Sequence, residues 1–229
     1  MSDIIQYPHG VDGRDILGAG TTAIVARLDA VIKFADASEQ PFMDREKRVY
    51  ERLGHHDRVV HSKNVLHGDI SCNNVFIDQI LNIKLGDFAG SAMDEEAPLI
   101  CYETSHGHPG IAGICTKSEI FALGSTFYEI MTGSKPYKGL QDWDISDAYA
   151  LGKYPSLSSL AAFNDIIAKC WAQDYGNVDE ILEDIKAEVA TKSAQAKWTK
   201  TSALIETPAL PIVIALVSLL PLLLLRSHK

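Results

Sequence analysis

The chain has 229 residues, 46% of them hydrophobic and 22% charged, which suits one globular domain or two small ones. A formal net charge of -9 excludes a dedicated nucleic-acid binder. Four widely separated cysteines, Cys72, Cys101, Cys115 and Cys170, follow no metal-ligand spacing and read as reduced thiols of a cytosolic protein.

In chain order, residues 1–13 read as an irregular lead-in without a basic region followed by an apolar core, so no signal peptide is expected. Arg14 to Ala35 then gives three short β-type runs broken by glycine: Asp15-Ile16-Leu17, Ala23-Ile24-Val25-Ala26 and Ala30-Val31-Ile32-Lys33-Phe34. Gly18-Ala19-Gly20 joins the first two. A glycine pair there lets backbone amides approach phosphate oxygens, although alone it equally describes an ordinary hairpin. Lys33 on the third run is by itself a snorkelling edge lysine. Residues 41–53 have a helical pattern, with Phe42, Val49, Tyr50 and Leu53 broadly on one side and Gly54 as the stop. Glu46 in that helix has the plain reading of a solvated carboxylate beside Arg45, Lys47 and Arg48.

Next comes His67-Gly68-Asp69-Ile70-Ser71-Cys72-Asn73-Asn74, a polar loop between the apolar runs Asn64-Val65-Leu66 and Val75-Phe76-Ile77. Val75 to Asp78 and Leu81 to Leu85 read as a hairpin leading to a second acid in Leu85-Gly86-Asp87-Phe88-Ala89-Gly90. Three oxygen-bearing side chains, Asp69, Asn74 and Asp87, are thus presented on loops by buried neighbours. Residues 91–116 are irregular; His106 and His108 lie there, and no carboxylate or cysteine spacing completes a metal site with them. Lys117 to Thr132 is apolar nearly all round, as for a core helix, and Gly133 stops it. Three amphipathic segments follow at about 144–152, 158–172 and 177–191. A linker is expected at 191–207, then 208–225, eighteen residues without charge that would span about 27 Å as a helix, which reads as a membrane anchor.

Taken in this order, these motifs resemble the eukaryotic protein kinase superfamily, in a divergent lineage that carries Gly-Asp-Ile-Ser where many kinases carry Arg-Asp-Leu-Lys. The resemblance covers about residues 14–190 and implies an α+β, two-lobed fold. The small lobe would be truncated to three strands plus the helix called αC, and the large lobe mainly helical, with a C-terminal apolar helix beyond it. It implies ATP and Mg2+ as cofactors and phosphoryl transfer to a Ser, Thr or Tyr hydroxyl of a protein substrate. By resemblance, Gly18, Gly20, Ala23 and Val25 cover the nucleotide. Lys33 holds its phosphates and is oriented by Glu46. Asn74 and Asp87 hold the metal, and Asp69 orients the hydroxyl.

The chain also departs from the pattern. Gly68 replaces an arginine that clamps a phosphorylated activation segment, so control by such phosphorylation is not expected. Ser71 replaces a lysine, and Ala23 and Ala89 replace glycines. Glu119 replaces an aspartate, and its extra methylene is expected to disturb bonding to the loop backbone. Most importantly, Leu53 and His67 are fourteen residues apart: an extended chain reaches roughly 46 Å, but supplies no two strands, hinge and helices as well. Losing them should expose the edge of the Lys33 strand and one apolar side of the 117–132 helix. Alternative readings are therefore a catalytically inactive, membrane-tethered pseudokinase or binding protein, and an incomplete splice or gene-model product. The expected location is a membrane, through a single C-terminal span at 208–225 with the kinase-like part cytosolic; the alternative is a cytoplasmic protein.

Overall fold

A computed structural model describes residues 16–19, 24–27, 31–54, 60–77 and 83–199. Expectations for the lead-in, Gly20, Ala23 and the segment 208–225 lie outside these. The described part is α+β.

It begins with an antiparallel sheet in the order β1 (Ile16–Ala19), β2 (Ile24–Arg27), β3 (Val31–Phe34), so β3 stands at an edge. Runs of β-branched residues, Ile24-Val25 and Val31-Ile32, favour this pleated conformation. The register sets Gly18 opposite Val25 and Val25 opposite Lys33. Asp36 then caps a short turn by accepting from the Ser38 amide at 2.8 Å, and helix α1 (Gln40–Leu53) follows with Pro41 in its first turn. Gly54, at φ 62°, ends α1 by donating to the Tyr50 carbonyl. Val49, Arg45 and Glu46 form its buried face, whereas Tyr50 is 47% exposed.

The chain then re-enters at Val60 and makes a tight turn, His61–Lys63, against the end of α1, where Arg52 donates to the Lys63 carbonyl at 3.2 Å. Two short ladders follow. Strand β4 (Val65–Leu66) pairs with β7 (Ala92–Met93), and β5 (Val75–Ile77) pairs with β6 (Ile83–Leu85), both antiparallel. Loop 67–74 runs from β4 to β5 and loop 86–91 from β6 to β7. Each loop is therefore fastened at both ends, and the same two ladders hold both.

Helix α2 (Thr116–Thr132) is central, followed by α3 (Asp142–Ala150), α4 (Asn164–Ala172) and α5 (Val178–Thr199). The core gathers Ile120, Phe121, Leu123 and Phe127 with Ile167, Trp171, Ile181 and Ile185. Side chains from Ser118 to Phe127 are buried, which corrects the expectation of an uncovered apolar side. Loop 67–74 lies over α2, with Thr126 donating to the Ile70 carbonyl at 3.3 Å. Elsewhere α4 covers it, with the Trp171 indole donating to Ser125 at 3.1 Å. The helix expected at 158–172 starts only at Asn164, because Phe163 is left-handed at φ 67° and interrupts the run. Helix α5 continues to Thr199, past residue 191 where a linker was expected.

The expectation of a membrane span is corrected: among the described residues no helix is long and apolar enough to cross a membrane. The apolar segment 208–225 on which it rested lies outside them.

Close approach of α2 and α4 depends on Gly124, where an added Cβ would lie 2.6 Å from the Cys170 Cβ. Gly124→Ala gains about 0.5–1 kcal/mol of helix propensity but overpacks this contact by about 1–3 kcal/mol. The urea midpoint of the variant is expected to fall, with the m-value unchanged.

Candidate functional site

The two ladders bring loop 67–74 and loop 86–91 side by side, and the sheet adds Lys33 from β3. Lys33 Nζ lies 2.9 Å from Glu46 Oε2 and 2.5 Å from Asp87 Oδ1. Burial pulls the Lys33 ammonium down, but its hydrogen bonds to Asp87 and Glu46 outweigh that and leave its pKa raised. The other Glu46 oxygen accepts from the Phe88 amide at 3.2 Å. One buried carboxylate thus joins α1, β3 and loop 86–91. Asp87 itself holds a left-handed backbone at φ 62°, an uncommon state for a non-glycine residue that turns its side chain toward Lys33.

Asp69 and Asn74 also meet. The Asn74 amide nitrogen donates to the Asp69 carbonyl at 2.7 Å and to Asp69 Oδ2 at 2.9 Å. The Asn74 amide oxygen takes no part in either bond and has the chemistry of a donor atom to a cation. Beneath them His67, fully buried, donates from Nε2 to the Gly86 carbonyl at 2.9 Å and accepts the Asp69 amide at Nδ1 at 3.2 Å; these partners assign the tautomer. Its ring packs 4.7 Å from that of Phe88, and Tyr50 meets Phe88 edge-on at 5.4 Å. Partial burial and the charge of the nearby Glu46 carboxylate push the Tyr50 phenol up to about 12.

Of the residues expected to cover a nucleotide, Val25 is partly buried opposite Lys33, and Gly18 is exposed with open space where a Cβ would stand. Gly20 and Ala23 lie outside the described residues. His106 is buried, with Nδ1 3.0 Å from Ser105 Oγ and 2.9 Å from Glu103 Oε1. His108 faces a different neighbour, the Phe121 ring at 5.2 Å. Among the described residues no group of three or more His, Cys, Asp or Glu side chains is placed to hold a metal ion. A cation near Asn74 and Asp87 would thus need further oxygens from its own ligand, as a magnesium–nucleotide supplies.

Glu119 behaves differently from expectation. Its extra methylene does not break the bond to the loop: Oε1 accepts from the Gly68 amide at 2.9 Å and from the Tyr102 hydroxyl at 3.1 Å, and Oε2 lies 2.5 Å from His61 Nε2. The carboxylate is fully buried. Burial pushes its pKa up, yet the His61 hydrogen bond and charge and the Gly68 amide hold it below the ordinary value. His61 and Tyr102 carried no motif that sequence reasoning could have used. The same is true of the pairs between α1 arginines and Asp94 and Glu96, although Arg45, Arg48 and Arg52 recur at helical spacing.

Because the folded pKa of Glu119 is depressed, its stabilising effect is complete above the unfolded carboxylate value and is lost as pH falls through the folded one. Glu119→Gln is expected to lose about 1–3 kcal/mol at neutral pH, since it weakens a buried network. The gap from the parent chain should narrow in urea titrations taken from about pH 5 to about pH 3.

No family model matches the chain. It is 30% identical over 145 residues to the serine/threonine-protein kinase PrkC of Bacillus subtilis (strain 168), covering 57% of this chain and 22% of that protein. With the serine/threonine-protein kinase KIC1 of Saccharomyces cerevisiae it shares 31% identity over 157 residues, covering 61% of this chain and 14% of that protein. With the serine/threonine-protein kinase A-Raf of Mus musculus it shares 28% over 103 residues, covering 37% and 16%. The chain spans less than a quarter of the length of these curated relatives. Partial as they are, these matches to serine/threonine kinases support a protein-kinase-like relationship for the chain.

Proposed function

We propose that the chain binds a magnesium–nucleotide between β1–β3 and the two loops, and transfers a phosphoryl group to a hydroxyl of a protein substrate. The observation that carries this reading is Lys33 held between Glu46 and Asp87. A lysine fixed by one carboxylate from a helix and one from a loop is poised to exchange its loop partner for phosphate oxygens. Asp87, once released, and the Asn74 amide oxygen would supply hard oxygen donors suited to Mg2+. Bound there, Mg2+–ATP supplies the transferable group and neutralises its charge.

The remaining work falls to residues of the chain. Lys33 positions the phosphates and Glu46 keeps Lys33 extended. Asp69, steadied by Asn74, accepts the proton of the incoming hydroxyl at Oδ1 or Oδ2. Ser71, buried where a lysine is common, offers no charge to the reacting phosphoryl, which favours slow turnover. Whether the hydroxyl belongs to Ser, Thr or Tyr is left to the substrate.

One observation favours a second reading, nucleotide binding without transfer. Seven residues, 54–60, separate the end of α1 from the turn at His61–Lys63. They are too few to build a hinge that grips adenine as well as make the connection, so a nucleotide held only through its phosphates and cation is not oriented for transfer.

Both readings are decided by the full chain. Mg-ATP at millimolar concentration is expected to raise the melting temperature by a few degrees, and Asp87→Asn should abolish that shift. Asp69→Asn should keep the shift yet lower transfer to a mixed peptide library by about 100-fold or more. Absence of any shift in the parent chain sinks both readings. A shift without transfer leaves only the second.

A further inference from the structure

The row of arginines on α1 faces a tight turn after β7, where three guanidiniums meet two carboxylates. Arg48 donates both guanidinium nitrogens to Glu96, at 2.5 and 2.8 Å. Arg45, nearly fully buried, lies 3.0 Å from the same carboxylate. It also donates to the carbonyls of Ser91 and Ala97. One turn further on, Arg52 grips Asp94 through both nitrogens at 2.8 and 3.1 Å. The turn that carries the acids is itself constrained. Met93 and Glu96 bridge through their backbones, and Asp94 adopts φ 53° with its amide on the Asn64 carbonyl at 2.9 Å.

We infer that Arg45, Arg48 and Arg52 with Asp94 and Glu96 form a fixed-charge latch that seats α1, and so Glu46, without any phosphate on the segment after Asp87. The inference rests on the proposed nucleotide site, because Glu46 matters through Lys33. Single exposed ion pairs are weak, but bidentate pairs in a row on one rigid face add up and fix geometry. Arg45 is the neighbour of Glu46 in the chain, so whatever anchors one guanidinium places the adjoining carboxylate. Gly68 offers no guanidinium to clamp a phosphate from loop 67–74. The carboxylates engage α1 directly instead and are charged at all times near neutral pH. These five are positioning residues: none touches Lys33.

The test uses the unphosphorylated full chain, its phosphate content checked by mass, and the double variant Asp94→Asn/Glu96→Gln; asparagine tolerates the left-handed backbone at 94. Amide exchange is read at Phe88, whose N–H is held by Glu46, and across α2 as an internal reference. The latch predicts at least about 10-fold faster exchange at Phe88 in the variant, with α2 unchanged to within about twofold. It also predicts that about 1 M NaCl speeds Phe88 exchange in the parent chain and has little further effect in the variant. Unchanged Phe88 exchange, loss of protection spread equally through α2, or an identical salt response in both proteins overturns it. All three are measured without nucleotide. A parent chain that ignores Mg-ATP therefore counts against the nucleotide site, while exchange alone judges the latch.

Discussion

A charged carboxylate sealed from water must be met by donors or it will not stay charged. Glu119 is such a carboxylate, and the described structure is arranged around meeting it. Its donors come from three places distant in the chain: His61 from the turn before β4, the Gly68 amide from the loop after it, and Tyr102 from the irregular stretch before α2. Its own place in the first turn of α2 adds the positive end of the helix dipole. The core helix is thereby pinned to loop 67–74, with the Thr126 bond to the Ile70 carbonyl as a second tie. Through β4 and β7 that pin extends to loop 86–91, and through Lys33 and Glu46 to the sheet and α1.

Much of this was legible in the sequence because it follows from local pattern. The 41–53 periodicity placed α1 within a residue of its observed limits, and the apolar run 117–132 placed α2 equally well. The Asp69–Asn74 spacing read as one loop, and the two side chains do bond to each other. Distant complementarity was not legible. Glutamate at 119 looked like a misfit for a backbone amide, yet it is accommodated because His61 and Tyr102 engage the carboxylate alongside the Gly68 amide. The partners of Arg45 and Arg48 were hidden, since nothing local says that Asp94 and Glu96 will stand opposite. The supposed bare side of α2 is covered by its neighbours in the fold, loop 67–74 and α4, which a residue count between two motifs does not reveal. Phe163 carried no glycine-like signal, so the late start of α4 was hidden too.

The short connection between α1 and the loop gives the molecule an asymmetric character. On one side of Lys33 the supports are dense: Glu46, Asp87, the aromatic cluster of His67, Phe88 and Tyr50, and the arginine row. On the other side β3 ends the sheet with an unpaired edge among the described residues. For the proposed site, this asymmetry favours a ligand that makes most of its contacts through phosphate and cation over one that depends on its ring.

The helical core and the site differ most in how far along the chain their partners lie. The bonds that join the site's separate elements span long loops: Lys33 to Asp87 crosses 54 residues, Glu46 to Phe88 crosses 42 and His61 to Glu119 crosses 58. The turns of α2 through α5 close locally, and only their mutual packing is long-range. Chain entropy therefore favours early formation of the helices and late closure of the loops onto them. A newly made chain would pass through a stage with a helical body and an open, unassembled cleft. For such a species any ligand of the closed loops acts as a folding partner, since it binds only what has already closed.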